Sequence, residues 1–406
     1  MHNILESDFM QSPLPIINLK KGKEKSLERF HPWIFSGAIH PVPTEVKEGD
    51  FVEIHTQDKR FIGIGYFQVG SIAVRMLTFQ KEEINHDFWK RKLQTAIELR
   101  KTANLWDNPE TNVFRLVHGE GDGFPGLIVD YYDGCVVFQA HTVGMYQIKE
   151  IFLEVLKELL GDNLKAVYDK SAHTLPFKAE LETIDSFIFG EEKEEWLVKE
   201  YGNIFSINVV SGQKTGFFID QRENRKLLEQ YSKGNKVCNT FCYSGGFSIF
   251  ALQADAELVH SVDSSQGAID LTDQNVGLNF TEAQNHQSFT ADVFNFLNEM
   301  PEQYDVIVLD PPAFAKHRKV LKNGLQGYRT INEKAMKNMK SGGVLFTFSC
   351  SQVVSQDQFR TVVFSAAARA GRQVQILHQL HQPADHPINI FHPEGEYLKG
   401  LVLRVV

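Results

Sequence analysis

The chain has 406 residues, 42% of them hydrophobic and 23% charged, and a formal net charge of -9. That is enough for two or three ordinary globular cores, and the acidic balance excludes a protein that coats nucleic acid indiscriminately while leaving room for a local basic face. The four cysteines, Cys135, Cys238, Cys242 and Cys350, are too few for a disulfide scaffold. Cys238 and Cys242 lack further ligands at zinc-finger spacing, so no metal is expected. No leader pattern and no apolar run of bilayer length is seen, which points to a reduced, cytoplasmic protein with no membrane partner.

Residues 14–80 read as a small β-barrel. Phe51–His55, 61–66 and 72–77 are short, closely spaced apolar or alternating runs. Ahead of them, Lys20, Lys21, Lys23, Lys25 and Arg29 outnumber Glu24 and Glu28, with Phe30, His31, Trp33 and Phe35 interleaved. Such a segment can grip phosphates through Lys21 and Lys23 and stack bases on Trp33. Residues 81–110 form a helical linker built on a 3.6-residue pattern over 86–105.

Residues 111–200 mix strands at 113–117, 127–131, 136–140, 166–168 and 184–189 with an amphipathic helix over 145–160, a compact α+β domain. From 201 to 406 strand and helix alternate, with strands at 236–241, Leu258–Asp263, 304–310 and 344–348 and helices from 247, over 268–278 and over 358–370. That order predicts an α/β, doubly wound, mainly parallel sheet.

In such a sheet ligands bind beyond the carboxyl ends of the strands. The first strand runs into Phe241-Cys242-Tyr243-Ser244-Gly245-Gly246, where Phe241, Tyr243, Ser244 and Gly245 can bring backbone close to a ligand. This is not the G-x-G-x-x-G of dinucleotide enzymes. Asp263, 22 positions after Phe241, with Ser264 beside it, suits a ribose diol; a helix N-cap is the alternative. Asp292 and Val293 suit an adenine amino group and an apolar wall. Three such features without a phosphate-gripping motif fit S-adenosylmethionine.

Asp310-Pro311-Pro312-Ala313-Phe314 follows the fourth strand, on the substrate side. Ala313 stands where enzymes that methylate exocyclic amines carry an aromatic residue. Cys350, flanked by Ser349 and Ser351, follows the fifth strand. A thiolate there suits methylation at a pyrimidine C5, which needs a nucleophile on C6, with Asp310 assisting at N3. The base that removes the C5 proton is not apparent from the sequence. The target base must be unpaired or flipped out.

The chain resembles the RlmI-type large-subunit rRNA cytosine-5 methyltransferases in Lys21-Gly22-Lys23, His31-Pro32-Trp33, 119–126, Gly212-Gln213-Lys214-Thr215-Gly216-Phe217-Phe218-Ile219-Asp220-Gln221-Arg222, Asp310-Pro311-Pro312, Phe348-Ser349-Cys350-Ser351 and Ala384-Asp385-His386-Pro387. The resemblance implies a PUA domain at the amino terminus, a central α+β domain and a class I (Rossmann-like) S-adenosylmethionine-dependent methyltransferase domain. It implies that Lys214, Gln221 and Arg222 hold the cofactor around its methionine end and that Cys350 is the nucleophile. Pro311, Pro312, Phe314, Asp385 and His386 would line the substrate mouth. It further implies rRNA rather than DNA as partner, and a homodimer. Ala313 departs from the family's usual Lys at that position. A guanine-N7 rRNA methyltransferase and a non-catalytic RNA-binding assembly factor are the alternative readings.

Overall fold

Five short strands open the fold: β1 (Ile16–Asn18), β2 (Trp33–Phe35), β3 (Phe51–His55), β4 (Phe61–Phe67) and β5 (Ile72–Thr78), in the order β1-β3-β4-β5-β2. The computed structural model describes residues 13–176, 181, 183–301 and 303–406. Strict alternation in β3 turns Val52 and Ile54 inward beside Ile17, Ile34 and Val74. Gly63 and Gly65 let β5 lie close against β4, since a Cβ on either would sit 2.4 Å from a β5-side carbonyl oxygen. β1 and β2, with three residues each, are too short to show a period in sequence.

Helix α1 (His86–Thr102) is capped by Asn85, whose side chain accepts from the Phe88 N–H. It stops three residues short of the expected end. Its apolar stripe of Phe88, Trp89, Leu93, Ala96 and Ile97 packs on the central domain. There β6 (Val113–His118), β7 (Leu127–Tyr132), β8 (Cys135–Ala140), β9 (Ala166–Asp169) and β10 (Ser186–Gly190) form one sheet in the order β10-β9-β8-β7-β6. The single helix expected over 145–160 is two, α2 (Val143–Gln147) and α3 (Lys149–Leu160), because Thr142 caps a separate first turn and the chain breaks at Ile148.

Every residue of β8 is buried, so its sheet is covered on both faces. Val136 and Phe138 pack toward α1 and α3. Cys135 and Val137 share a core with the hairpin β11 (Glu195–Glu200) and β12 (Asn203–Asn208), which the sequence did not reveal, and with the carboxyl-terminal domain. That domain contains α4 (Arg222–Ser232), β13 (Lys236–Thr240), α5 (Gly246–Gln253), β14 (Leu258–Asp263), α6 (Gln266–Asn279), β15 (His286–Thr290), α7 (Val293–Phe296), β16 (Val306–Leu309), α8 (Leu321–Asn338), β17 (Gly343–Ser349), α9 (Gln356–Ala370), β18 (Val374–Leu380) and β19 (Lys399–Val405). The sheet order is β15-β14-β13-β16-β17-β19-β18, parallel except for β19, which runs antiparallel to both its neighbours. Chain order reverses between β13 and β16, and the crevice beyond those strand ends is where such sheets bind ligands.

Candidate active site

The loop after β13 is built from alternating left-handed residues: Phe241 at φ 55°, Tyr243 at φ 48° and Gly245 at φ 73°. For the two aromatic residues this costs about 1–2 kcal/mol each, and persists only where surroundings over-determine it. They do so here. The Tyr243 N–H donates to Asp263 Oδ2 at 3.2 Å, Thr272 Oγ1 donates to the Tyr243 carbonyl at 3.1 Å, and Asn275 holds the Ser244 carbonyl at 2.9 Å. The Tyr243 hydroxyl donates to the Gly216 carbonyl at 3.1 Å and accepts the Gln213 N–H at 3.0 Å, tying the loop to the segment that carries Lys214.

Asp263 is not the N-cap of α6; Ser265 is. Its second oxygen accepts the Ser265 N–H at 3.0 Å, so the carboxylate shapes two loops and keeps acceptor capacity at the strand end, with Ser264 exposed beside it. Asp292 caps the short helix α7 through one oxygen, at 2.9 Å from the Asn295 N–H, and Val293 behind it is buried.

Asp310 ends β16. Burial and the nearby Asp220 carboxylate push its carboxyl up to about 7, against the Gln221 amide that donates to it. Pro311 is buried and Pro312 exposed. Phe314 packs on Tyr328 with ring centroids 4.7 Å apart, and on Phe294 at 6.1 Å. The Tyr328 hydroxyl and Ser351 Oγ are hydrogen bonded at 2.8 Å, and Ser351 Oγ accepts the Ala315 N–H at 3.1 Å, so the Asp-Pro-Pro loop and the loop after β17 are stitched together.

Cys350 sits in that seam. Its Sγ lies 3.9 Å from the Pro311 carbonyl oxygen. Of the four cysteines, the other three are buried and Cys350 alone is partly exposed. Burial, then Asp310, push its thiol up to about 11, while Lys214 acts in the opposite direction.

A profile of PUA-like domains matches residues 17–79, and one of S-adenosylmethionine-dependent methyltransferases matches residues 114–404. Ribosomal RNA large subunit methyltransferase I of Aeromonas hydrophila is 41% identical over 395 residues, covering 96% of this chain and 98% of its own. The protein of the same name from Alteromonas mediterranea is 38% identical over 392 residues, covering 95% and 98%. The chain belongs to the ribosomal RNA large subunit methyltransferase I family. A Streptococcus mutans structure solved as a SAM-dependent methyltransferase superposes with a TM-score of 0.83 over 97% of this chain and 100% of that one at 22% identity. A methyltransferase structure complexed with SAH gives 0.83 over 96% and 99% at 23% identity. Both likenesses confirm the class I fold.

The cofactor of this methyltransferase is therefore S-adenosylmethionine, and the residues present suit it. Carboxylates stand at or just past three successive strand ends (Asp263, Asp292 and Asp310), a set of acceptors suited to hydroxyls, an amino group and a sulfonium cation and repellent to pyrophosphate. Lys214, in the left-handed region at φ 52°, lies with its ammonium 4.5 Å from the Phe218 ring centroid. Gln221 is buried and acts on Asp310, with its carbonyl held by Asn224 at 2.6 Å.

Four of the expected site residues, Arg222, Asp385, His386 and Trp33, stand elsewhere than expected. Arg222 does not face the crevice. Its guanidinium is buried against Asp385, which is also buried and not at the substrate mouth. His386 is buried beside them, its Nδ1 3.2 Å from Asp385 Oδ1 and its ring 5.0 Å from that of His118. The aspartate is consumed by domain packing because it also accepts the Arg115 N–H at 2.9 Å, while Arg100 donates to its backbone carbonyl at 2.7 Å. Trp33 is no free stacking platform either. Its Nε1 donates to Glu120 at 2.7 Å, Arg75 lies over its ring at 5.0 Å, and His392 packs on it at 4.3 Å, so it joins the barrel to both other domains. Lys21 and Lys23 are exposed, and Lys23 lines a cavity of about 340 Å³ with Ser26, Trp33 and Phe35.

Sequence reasoning missed Asp220, Tyr397 and Lys399. The Tyr397 hydroxyl donates to Asp220 Oδ2 at 2.7 Å, and Asp220 acts on both Asp310 and Cys350. A lone lysine in the apolar run Leu398-Lys399-Gly400-Leu401-Val402 was the available signal for the third.

Proposed function

We propose that this enzyme methylates C5 of a cytosine in large-subunit ribosomal RNA, with Cys350 as covalent nucleophile. The observation that carries the reading is the placement of the one partly exposed thiol against the Asp-Pro-Pro loop, at 3.9 Å from the Pro311 carbonyl. The ribosomal substrate follows from full-length relatives named as rRNA methyltransferases and from exposed Lys21 and Lys23 on a PUA-like domain.

C5 of a pyrimidine is a poor nucleophile. The Cys350 thiolate adds to C6, forming a carbon–sulfur bond, while the C5–C6 electron pair shifts toward the ring and N3 takes a proton from Asp310. C5 is then enamine-like. S-adenosylmethionine supplies, when bound, the electrophilic methyl group that such a carbon accepts. Loss of the C5 proton to solvent restores the C5–C6 double bond and expels the thiolate, and N3 returns its proton to Asp310. Asp310 suits its task because a carboxyl held near 7 is still about half protonated at neutral pH, whereas an ordinary carboxyl is fully ionised. Pro311 and Pro312 stiffen the loop and leave its carbonyls free as acceptors.

The test is nucleoside mass spectrometry of large-subunit rRNA methylated by the purified enzyme. 5-Methylcytidine is expected with the native chain and none with Cys350→Ala. Appearance of 7-methylguanosine in its place would overturn the reading.

A further inference from the structure

Lysine is almost never fully buried unless paired, yet Lys399, the first residue of β19, is 3% exposed. Among the described residues no salt bridge reaches its ammonium. Instead Nζ donates to two backbone carbonyls, of Ser351 at 2.7 Å and Tyr397 at 2.6 Å. Ser351 follows Cys350 directly, and Lys399 stands opposite Ser349 in the β17–β19 register. Two of its three donors are therefore spent on the turn that presents the cysteine and on the residue whose hydroxyl holds Asp220.

We infer that Lys399 is a positioning residue for Cys350: it fixes the turn through the Ser351 carbonyl and supplies the buried positive charge that favours the thiolate. The inference rests on the reading of Cys350 as nucleophile. The need for such a charge is clear from what surrounds the sulfur. Asp310 and Asp220 disfavour its ionisation, and Tyr328 is close enough to feel it. Lys214 opposes them but is exposed and screened by water. Lys399 is dry, and charges act more strongly where water is excluded. The influence runs both ways. Burial draws the Lys399 amine down to about 8, and Cys350, ahead of Glu396, is the principal group that pulls it back. Below about pH 8 Lys399 carries its proton, so at neutral pH the thiol proton passes to solvent and the lysine gains and loses no proton in the addition.

The experiment is the pH dependence of Cys350 alkylation by iodoacetamide in the full-length apo protein, followed by peptide mass spectrometry. Cys135, Cys238 and Cys242 are buried and serve as a check on folding. Lys399→Gln keeps a donor for the Ser351 carbonyl and loses the charge. Its alkylation rate at pH 7.5, where Lys399 is still mostly charged, should fall about tenfold below native, while S-adenosylmethionine binding by calorimetry stays within a few-fold. Lys399→Arg keeps the charge and should keep the native rate. A Gln variant with the native rate at pH 7.5 overturns the inference. If the Gln variant exposes all four cysteines, the Arg variant decides: a rate about tenfold below native overturns it. Methylation surviving in Cys350→Ala would instead defeat the nucleophile reading, whatever the alkylation profiles show.

Discussion

Arg222 and Asp385 face one another across the interior as a doubly hydrogen-bonded ion pair, at 2.7 and 3.1 Å, with 1% and 0% of their side chains exposed. Asp385 sits on the loop between β18 and β19, and Arg222 opens α4. The same loop is held by Arg100 of α1, which forms a second buried pair with Asp122 at 2.6 and 2.8 Å. Linker helix, central sheet and catalytic domain thus meet at one aspartate, through its backbone carbonyl and its carboxylate, beside Gln221.

Removing one member of a buried pair strands the other. Asp385→Ala leaves the buried Arg222 guanidinium with only the half-exposed Glu223 as counter-charge and the Arg115 N–H without its acceptor. A loss of about 3–5 kcal/mol is expected, read as a lowered urea midpoint. Leu or Met at both 222 and 385 should recover much of it, since apolar replacement of both partners is often nearly neutral.

Asp310 gives a pH signature. Its folded-state value is raised to about 7, so the acid form that serves N3 is present below that pH and lost as pH rises through it. Single-turnover methylation should therefore rise with pH below about 7, as the thiolate forms, and level off above it, where the gain in thiolate is offset by loss of the Asp310 acid form. In Asp310→Asn, whose amide donates at every pH, the rate should be lower near neutrality and should go on rising on the alkaline side. Stopped time courses between pH 6 and 9 measure both.

Tyr243→Phe removes a hydroxyl that accepts from the Gln213 N–H and donates to the Gly216 carbonyl. The left-handed loop then loses its tie to the Lys214 segment. At about 0.5–1.5 kcal/mol for each of the two hydrogen bonds removed, S-adenosylmethionine affinity should fall by roughly 5-fold to at most about 160-fold by calorimetry, with the melting temperature nearly unchanged.

Lys21 and Lys23 are tested by salt. Replacing both with Glu should weaken RNA binding and flatten the dependence of log affinity on log salt by about 0.7–0.9 for each phosphate no longer neutralised. S-adenosylmethionine binding should not move. Trp33→Ala, in contrast, should loosen the barrel from Glu120 and His392 and raise its protease sensitivity.

The sequence made the catalytic sheet legible because its strands are apolar runs ending in chemically distinctive residues. Asp263, Asp310 and Cys350 each announce a strand end. The edge strand β18 was not legible: its exposed Ile376 and Leu377 and its bulge between Ile376 and His378 break the alternation. β1 and β2 were too short. Asp385, His386 and Arg222 were misplaced for a different reason. Charged residues suit both a ligand mouth and a buried inter-domain clamp, and only the spatial meeting of Arg100, Arg115, Arg222 and Asp385, drawn from three domains, separates the two. Lys399 lay outside any helix or strand read from the sequence, and its partners are backbone carbonyls, which no side-chain pattern advertises.

The most direct test uses large-subunit rRNA transcribed with 5-fluorocytidine, on which methyl transfer leaves no C5 proton to remove and the sulfur–C6 bond cannot break. With S-adenosylmethionine present, the native enzyme should form a complex that survives denaturing electrophoresis, mapping by mass spectrometry to Cys350 and absent in Cys350→Ala. RNA that binds but yields no adduct, or an adduct that persists without Cys350, would contradict the account.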